Sequence, residues 1–433
     1  MSTKKLALIL FAVLGVLIIG VYFLARYFFG GFGTTTIEYW GLWEPESVYT
    51  TVIADYQKLH PNVTINYKKK SQLQYRDTLS SALKSSAPPD IFRFHNTWLP
   101  MLKNYLSPVP NSAYTAAAFK ATFYPVAQKD LYSAGSYYGI PLEIDTLALY
   151  VNENIFTQAG LTYPTSFPQE FLDTARKLTV RNGDRIERAG AAMGNAGNVT
   201  HWEDILSLLL LQSEVDLINP TGSLAEEAFS YYIGFQTLDQ VWDETQDEAK
   251  LAFAKGNLAM YFGYSWDYFD IKAINPALSF KVVPAPQLPD KRVNMASYWV
   301  EGVSKNSKKQ SVAWDFLKFI SSKEELSKLY TAEAKYRGFG EPYGRVDMAS
   351  MLATDPTVSV FVNQAQTAQS SYLSSLTWDG SGGINTRIKN YFADTINSSK
   401  NQGNQKQALE TLIYGINQVL SGYGLVAPLP APK

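Results

Sequence analysis

Three carboxylates, Glu44, Glu143 and Asp145, have the right chemistry for acid–base work in this 433-residue chain. Two acids about 5 to 10 Å apart across a glycosidic bond are sufficient for glycoside hydrolysis. A membrane-anchored carbohydrate-active enzyme using such a pair is therefore one reading, although nothing in the sequence makes any two of them converge. Other reactions lack their side chains. His60, His95 and His201 are far apart, and there is neither an HExxH pair nor a phosphate-binding glycine loop. In "GYSWD", Asp267 stands where a nucleophile elbow requires glycine. Cysteine is absent, which removes thiolate metal sites, a cysteine nucleophile, disulfides and lipid attachment at an N-terminal cysteine. Neither a metal nor a cofactor is expected.

The tryptophans are more suggestive. Trp40 and Trp43 end the first strand-like run, Trp98 follows "PDIFRF", Trp266 follows "LAMYF", and Trp299 and Trp378 stand beside turn residues. In open α/β sheets, ligands bind beyond the carboxyl ends of the strands. Flat apolar faces carrying an N–H donor suit a ligand that is apolar on one face and hydroxylated at its edge, as a sugar ring is. Each also has a packing role to weigh, because large aromatics dominate cores. Trp314, on the apolar face of "SVAWDFLKFI", reads as core, as Trp202 and Trp242 can. Asp145 lies on an apolar strand, where a carboxylate needs partners.

The elements that would position these residues alternate between strand and helix. "TIEYW" is strand-like. "SVYTTVIADYQKLH" repeats Val48, Val52, Tyr56 and Leu59 at helical spacing and stops at Pro61; "VTINY" alternates, and Tyr75, Leu79 and Leu83 share a helix face before "IFRF". The same grammar returns after "YGIPLEIDTLALYVN", with helices "PQEFLDTARKL" and "WEDILSLLLLQ" and strands "LAMYF" and "FKVVP". Helices follow over "SVAWDFLKFI", "KEELSKLYTAEA", Val358 to Ala368, Ile384 to Asn397 and Gln407 to Leu420. Strands and helices alternating at these lengths predict parallel β-α-β units in two α/β lobes.

Charge excludes one partner class, since 38 basic and 39 acidic residues leave −1 and no footprint for nucleic acid. The N-terminus is different. Lys4 and Lys5 precede an unbroken apolar run from Leu6 to Ala25, the length of a bilayer-spanning helix. Flanking lysines orient it with the N-terminus in the cytoplasm and the rest of the chain outside. A cleaved signal peptide competes, but its apolar region is usually shorter and "GFG" at Gly31 to Gly33 is a poor cleavage site.

As a set, "SSAPPDIFRF", "YGIPLEIDTLALYVNENIFTQAGL", "FAKGNLAMYFGYSW" and "KKQSVAWDFLKFIS" resemble, in order and spacing, the extracellular solute-binding proteins of sugar importers, the maltose-binding-protein group. The resemblance runs from about Ile37 to Leu420. It implies an α/β fold of the periplasmic-binding-protein type II, with two discontinuous lobes closing about a hinge, and a non-catalytic receptor. Position by position, it implies ligand-binding roles for Asp145, as the acid on the hinge strand, and for Trp266 and Trp378, as stacking platforms. The candidate set is completed by Trp40, Trp43 and Glu44 in the first loop, Asn96 and Trp98 after "PDIFRF", and Trp299. Asn96, Thr97 and Trp98 replace a charged pair of the maltose binders, and the first loop lacks their polar set, so maltose itself is not implied.

The implied organisation is an anchor or signal segment over 1–33, lobe one over 34–142 and 300–345, lobe two over 143–299 and 346–426, and a disordered tail over 427–433. Hinge crossings are expected near Glu143 to Asp145, Ala296 to Trp299 and Val346 to Ser350. The implied partners are a mono- or oligosaccharide, the permease subunits of an ABC importer and, through the N-terminal helix, the membrane; the receptor is expected to be a monomer. Intact-mass analysis of membrane-extracted protein should find Met1 retained or only the initiator lost. A mature N-terminus near Thr34 would contradict the anchor.

Overall fold

The computed structural model describes residues 15–21, 34–400 and 405–430. Residues 15–21 are helical, and the remainder of the expected Leu6 to Ala25 span lies outside the described residues. Among the described residues no helix is long and apolar enough to cross a membrane.

The first sheet is built on Thr35–Gly41, whose alternation buries Ile37, Tyr39 and Gly41. It pairs in parallel with Val63–Lys69 along its whole length and with Ile91–His95 on the other side. The helix Glu46–Leu59 covers it with Val48, Tyr49, Val52 and Tyr56, repeating at helical spacing. Trp299–Val303 completes the order 299–303, 91–95, 35–41, 63–69 and runs antiparallel to Ile91–His95. The second sheet has the order 280–283, 148–152, 258–263, 185–191, 180–182. Only Arg185–Ala191 and Leu258–Gly263 are parallel there; Ala148–Asn152 opposes both its neighbours. Both sheets are thus mixed rather than wholly parallel, because a strand reached through the hinge enters from the other lobe and runs against its neighbours.

Two hydrophobic cores correspond to the two sheets. The chain passes between them at 142–147 and 294–298, where Thr146 pairs with Ala296 and Leu147 N–H donates to the Met295 carbonyl at 2.9 Å. The third passage was expected at Val346 to Ser350, and the structure places it later. Met348, Leu352, Val358 and Val362 pack into the first core, so the chain leaves that lobe only near residue 366. Ala368–Gln369 then pairs in parallel with Asn294–Met295. Trp299, expected at the end of lobe two, belongs to the first sheet. The tail also differs from expectation: Asn417 donates to the Ala427 carbonyl and accepts from Leu429 N–H, pinning 427–429 against the last helix, while 431–433 lie outside the described residues.

Trp314 is 2 % exposed in the first core, with its Nε1–H directed at Ser107 Oγ at 3.2 Å. Trp314→Ala should therefore cost about 3 to 5 kcal/mol of folding free energy in urea melts. A loss below about 1 kcal/mol would show that its packing has been misjudged.

Candidate ligand cleft

Three strand ends deliver the expected site residues. Trp43 and Glu44 follow Thr35–Gly41, Asn96 to Trp98 follow Ile91–His95, and Trp266 opens the helix Ser265–Ile274 after Leu258–Gly263. On the first lobe Trp299 is the hub. Its ring meets Trp43 edge to face at 5.7 Å, Trp98 at 5.3 Å and His95 at 5.2 Å. Trp98 and Trp299 are buried, and Trp299 braces Trp43, which stays half-buried. Trp40 is out of phase with Tyr39 and lies on the opposite sheet face, under Lys70 Nζ at 4.0 Å from its ring centre. Asn96 is mostly buried as well: it donates to Asp130 Oδ2 at 2.8 Å and lies 2 % exposed. Burial drives the neighbouring His95 down to about 3, which keeps it neutral between Thr97 Oγ1 and Ser297 Oγ.

On the second lobe Trp266 is half-buried and stacks on Tyr264, ring centres 4.5 Å apart and 17° between planes. Tyr264 is held from three sides. Its hydroxyl donates to Asp204 at 3.0 Å, its carbonyl accepts from Tyr150 at 2.6 Å and its N–H donates to Asp267 at 3.0 Å. Asp145 joins this platform to the hinge, taking the Ser265 N–H at 2.9 Å and hydroxyl at 2.5 Å on Oδ2 and the Thr146 N–H on Oδ1. Burial pushes the Asp145 carboxyl well up, against the pull of Ser265. The acid expected to take ligand hydroxyls is therefore already engaged at a helix N-terminus.

Trp378, half-buried, leans from the far lobe onto the first core. Its φ of +54° lies in the left-handed region, a conformation that costs a non-glycine residue about 1 kcal/mol. The next residue holds the loop in place: Asp379 accepts from Asn385 N–H and the Thr386 hydroxyl at 2.6 Å each, capping the helix Ile384–Ser399. A Cβ on Gly383 would lie 2.0 Å from that carboxylate, which explains the glycine. Across the cleft, Arg76 Nε donates to the Asp379 carbonyl at 2.8 Å and Thr97 Oγ1 donates to Asn385 Oδ1 at 2.9 Å. The lobes meet directly.

Glu44 and Glu143 do come together, but not as hydrolytic partners. With Glu341 they bring carboxylate oxygens within 4.8 Å of one another, beside a void of about 20 Å³, room for one water and not for a sugar. Arg93 holds Glu44 at 2.8 Å and Glu301 at 2.6 Å in the same buried group. Burial pushes Glu143 well up and Glu333 to about 8. A cavity of about 710 Å³ lies between the lobes and includes Asn96, Asp130 and Ser370, but its walls contain no tryptophan. The strand-end tryptophans, not this larger space, match the binding position of an α/β sheet.

Sequence reasoning missed the supports. Tyr264 and Asp267 form a helix-start pattern that could have been read from "YSWD". Arg76 meets Asp379 across 303 residues, and no local signal announces it. His201, buried at the start of the helix Trp202–Gln212, donates its Nε2–H to Asp267 Oδ2 at 2.7 Å and lies behind Trp266. Burial pulls His201 down, and the charges of Asp267 and Asp204 outweigh it and raise its pKa above 6.5. Burial pushes Asp267 up, and His201 and Lys250 bring it below 3.8. The His201 contribution is complete below pH 6.5 and is lost as pH rises through the folded value; that of Asp267 is complete above 3.8 and is lost on acidification. Wild type should therefore lose urea resistance relative to His201→Gln as pH rises from 6.5. Parallel pH profiles for the two proteins would remove the buried ion pair from the account.

Residues 42–326 match the family described as bacterial extracellular solute-binding protein. Among curated relatives, a maltotriose-binding protein of Pyrococcus abyssi is 19 % identical over 363 residues, covering 79 % of this chain and 73 % of that one. Among solved structures, the sugar-binding protein MalE from Xanthomonas citri superposes with a TM-score of 0.73 at 19 % identity, covering 90 % of this chain and 98 % of that one. The cyclic α-maltosyl-1,6-maltose binding protein from Arthrobacter globiformis also gives 0.73, at 17 % identity over 90 % of this chain and all of that one. Two mixed sheets joined by a three-strand hinge, with the family match over most of the folded region, place the chain among the bacterial extracellular solute-binding proteins.

Proposed function

We propose that this protein is the receptor of an ABC-type importer, held at the outer face of a membrane by its N-terminal helix, and that it captures a carbohydrate without transforming it. The observation carrying this reading is the distribution of half-buried tryptophans: Trp43 on one lobe and Trp266 on the other, each braced from behind by a buried ring, with Trp378 reaching the first core from the second lobe. Braced aromatic faces pre-pay the ordering cost of binding and offer a sugar's C–H face a stacking surface. Asp145 orients the Trp266 platform from the hinge. Tethering the receptor raises its local concentration at the permease. The sugar-binding activities named for the similar proteins support the ligand class.

Calorimetric titration of the full chain with malto-, manno-, cello- and chito-oligosaccharides should find a binder that is recovered intact. Turnover of any of them would defeat the receptor reading. For that binder, Trp266→Ala should weaken affinity at least about 30-fold, the effect of losing about 2 kcal/mol at a stacked aromatic. Its folding stability should change far less than that of Trp314→Ala. Normal binding by a Trp266→Ala protein that unfolds readily would mean the ring is core.

Closure is the second expectation. Arg76→Ala removes a direct bond between the lobes, so small-angle scattering should show a larger ligand-free radius of gyration than wild type, returning to the wild-type value on saturation with the binder. Identical ligand-free radii would show that this contact does not hold the lobes together.

A further inference from the structure

The acidic group beside the hinge is unusual in composition. Glu44, Glu143, Glu301, Glu333 and Glu341 share a buried region in which the guanidiniums of Arg93 and Arg337 are the counter-charges. Unpaired charge in a protein interior is expensive, and such groups are either neutralised or bound to a cation. Within the group, Glu44, Glu143 and Glu341 converge from three separate segments: the loop after the first strand, the first hinge passage, and the return segment that pairs with that passage at Glu143 and Tyr343. A second observation is independent of that clustering. Glu44 is 4 % exposed and its Oε2 accepts from Arg93, while its Oε1 is shut away from solvent with no partner among the described residues. A buried acceptor left unmatched normally has a ligand or water to meet it.

We propose that Glu44, Glu143 and Glu341 form a binding site for a hard divalent cation of the calcium class, which ties the first loop to the hinge. Three oxygens no more than 4.8 Å apart can each lie no more than about 2.8 Å from a common centre, so at most a few tenths of an ångström of inward movement brings them to the 2.3 to 2.6 Å of calcium–oxygen bonds. Magnesium, at 2.0 to 2.1 Å with strict octahedral demands, needs a larger contraction of buried backbone-anchored groups. The all-oxygen donor set disfavours zinc and copper, which draw on imidazole and thiolate. The adjoining void of about 20 Å³, bounded by Glu143, Glu333 and Glu341, has room for one water to complete the coordination. The cation would sit next to Trp43 in sequence and two residues from Asp145, fixing the spacing between the first-lobe platform and the hinge.

The test uses the full chain, stripped with a chelator and then dialysed against calcium chloride, magnesium chloride or neither. Elemental analysis should find one calcium per chain, and the melting temperature should rise with calcium by more than with magnesium at equal concentration. Glu44→Gln also breaks the sealed Arg93 pair and can unfold the lobe, so the decisive variant is Glu341→Gln, whose pair with Arg337 is partly open to solvent. It should bind calcium at least tenfold more weakly while the metal-free protein melts within a few degrees of wild type. Failure to retain calcium, a magnesium shift equal to or larger than that of calcium, or unchanged calcium affinity in Glu341→Gln would each overturn the assignment.

Discussion

A buried carboxylate has to find hydrogen-bond donors, and for Asp145 the nearest unmatched donors are at the start of a helix. The first N–H groups of a helix have no partner within it. Asp145, on the first hinge passage, takes the N–H and hydroxyl of Ser265, and two requirements are met by one contact. The contact also fixes geometry. The hinge strand cannot shift relative to the helix Ser265–Ile274 without orphaning both partners, and Trp266 is the second residue of that helix. The position of the platform in the cleft is therefore referred to the hinge rather than to a mobile loop.

Around that contact the two lobes use aromatics differently. The first lobe makes a cluster of perpendicular rings in which Trp98 and Trp299 are consumed as packing and Trp43 alone stays half-buried. The second lobe builds one stacked pair, with Tyr264 fastened at its hydroxyl, carbonyl and N–H so that Trp266 has a rigid backing. Trp378 is supported by strain and capping instead. Its left-handed backbone is tolerated because Asp379 anchors the following turn to a helix. The half-buried rings of Trp43, Trp266 and Trp378 are thus each held by a separate device, and the buried Trp98 and Trp299 support Trp43.

The elements were legible because their signals are local: Val48, Val52 and Tyr56 at helical spacing, Ile37 and Tyr39 alternating, "LAMYF" as a fully buried strand. The placement of tryptophans at strand ends was legible for the same reason. What could not be read depends on pairs distant in the chain. The third hinge passage was misplaced because a turn at 346–352 looks like any other, and only packing of Met348 and Val358 against the first core shows that the chain has not yet left. Trp98 and Trp299 look like Trp43 in sequence; their contact with each other decides that they are interior. Glu44, Glu143 and Asp145 are three acids that nothing in the sequence brings together, and only the arrival of Arg93 and Glu341 shows that the first two belong to a buried charge cluster.

The antiparallel strand Trp299–Val303 has a bearing on how this chain comes into being. Arg93 is buried against Glu301 of that strand, about two hundred residues further along. During synthesis at about 5 to 20 residues per second, the first lobe waits on the order of tens of seconds before the strand that completes its sheet, and the acid that neutralises its central arginine, exist at all. Until then its edge strand Ile91–His95 has an open side and a guanidinium with half its partners missing. The second lobe's sheet, by contrast, lies wholly within the uninterrupted stretch between the first two hinge passages, and the helices Ile384–Ser399 and Gln405–Ser421 pack onto that lobe afterwards. In this protein the sheet begun first is the sheet finished last, so the nascent chain must be kept from misassembly at its N-terminal sheet.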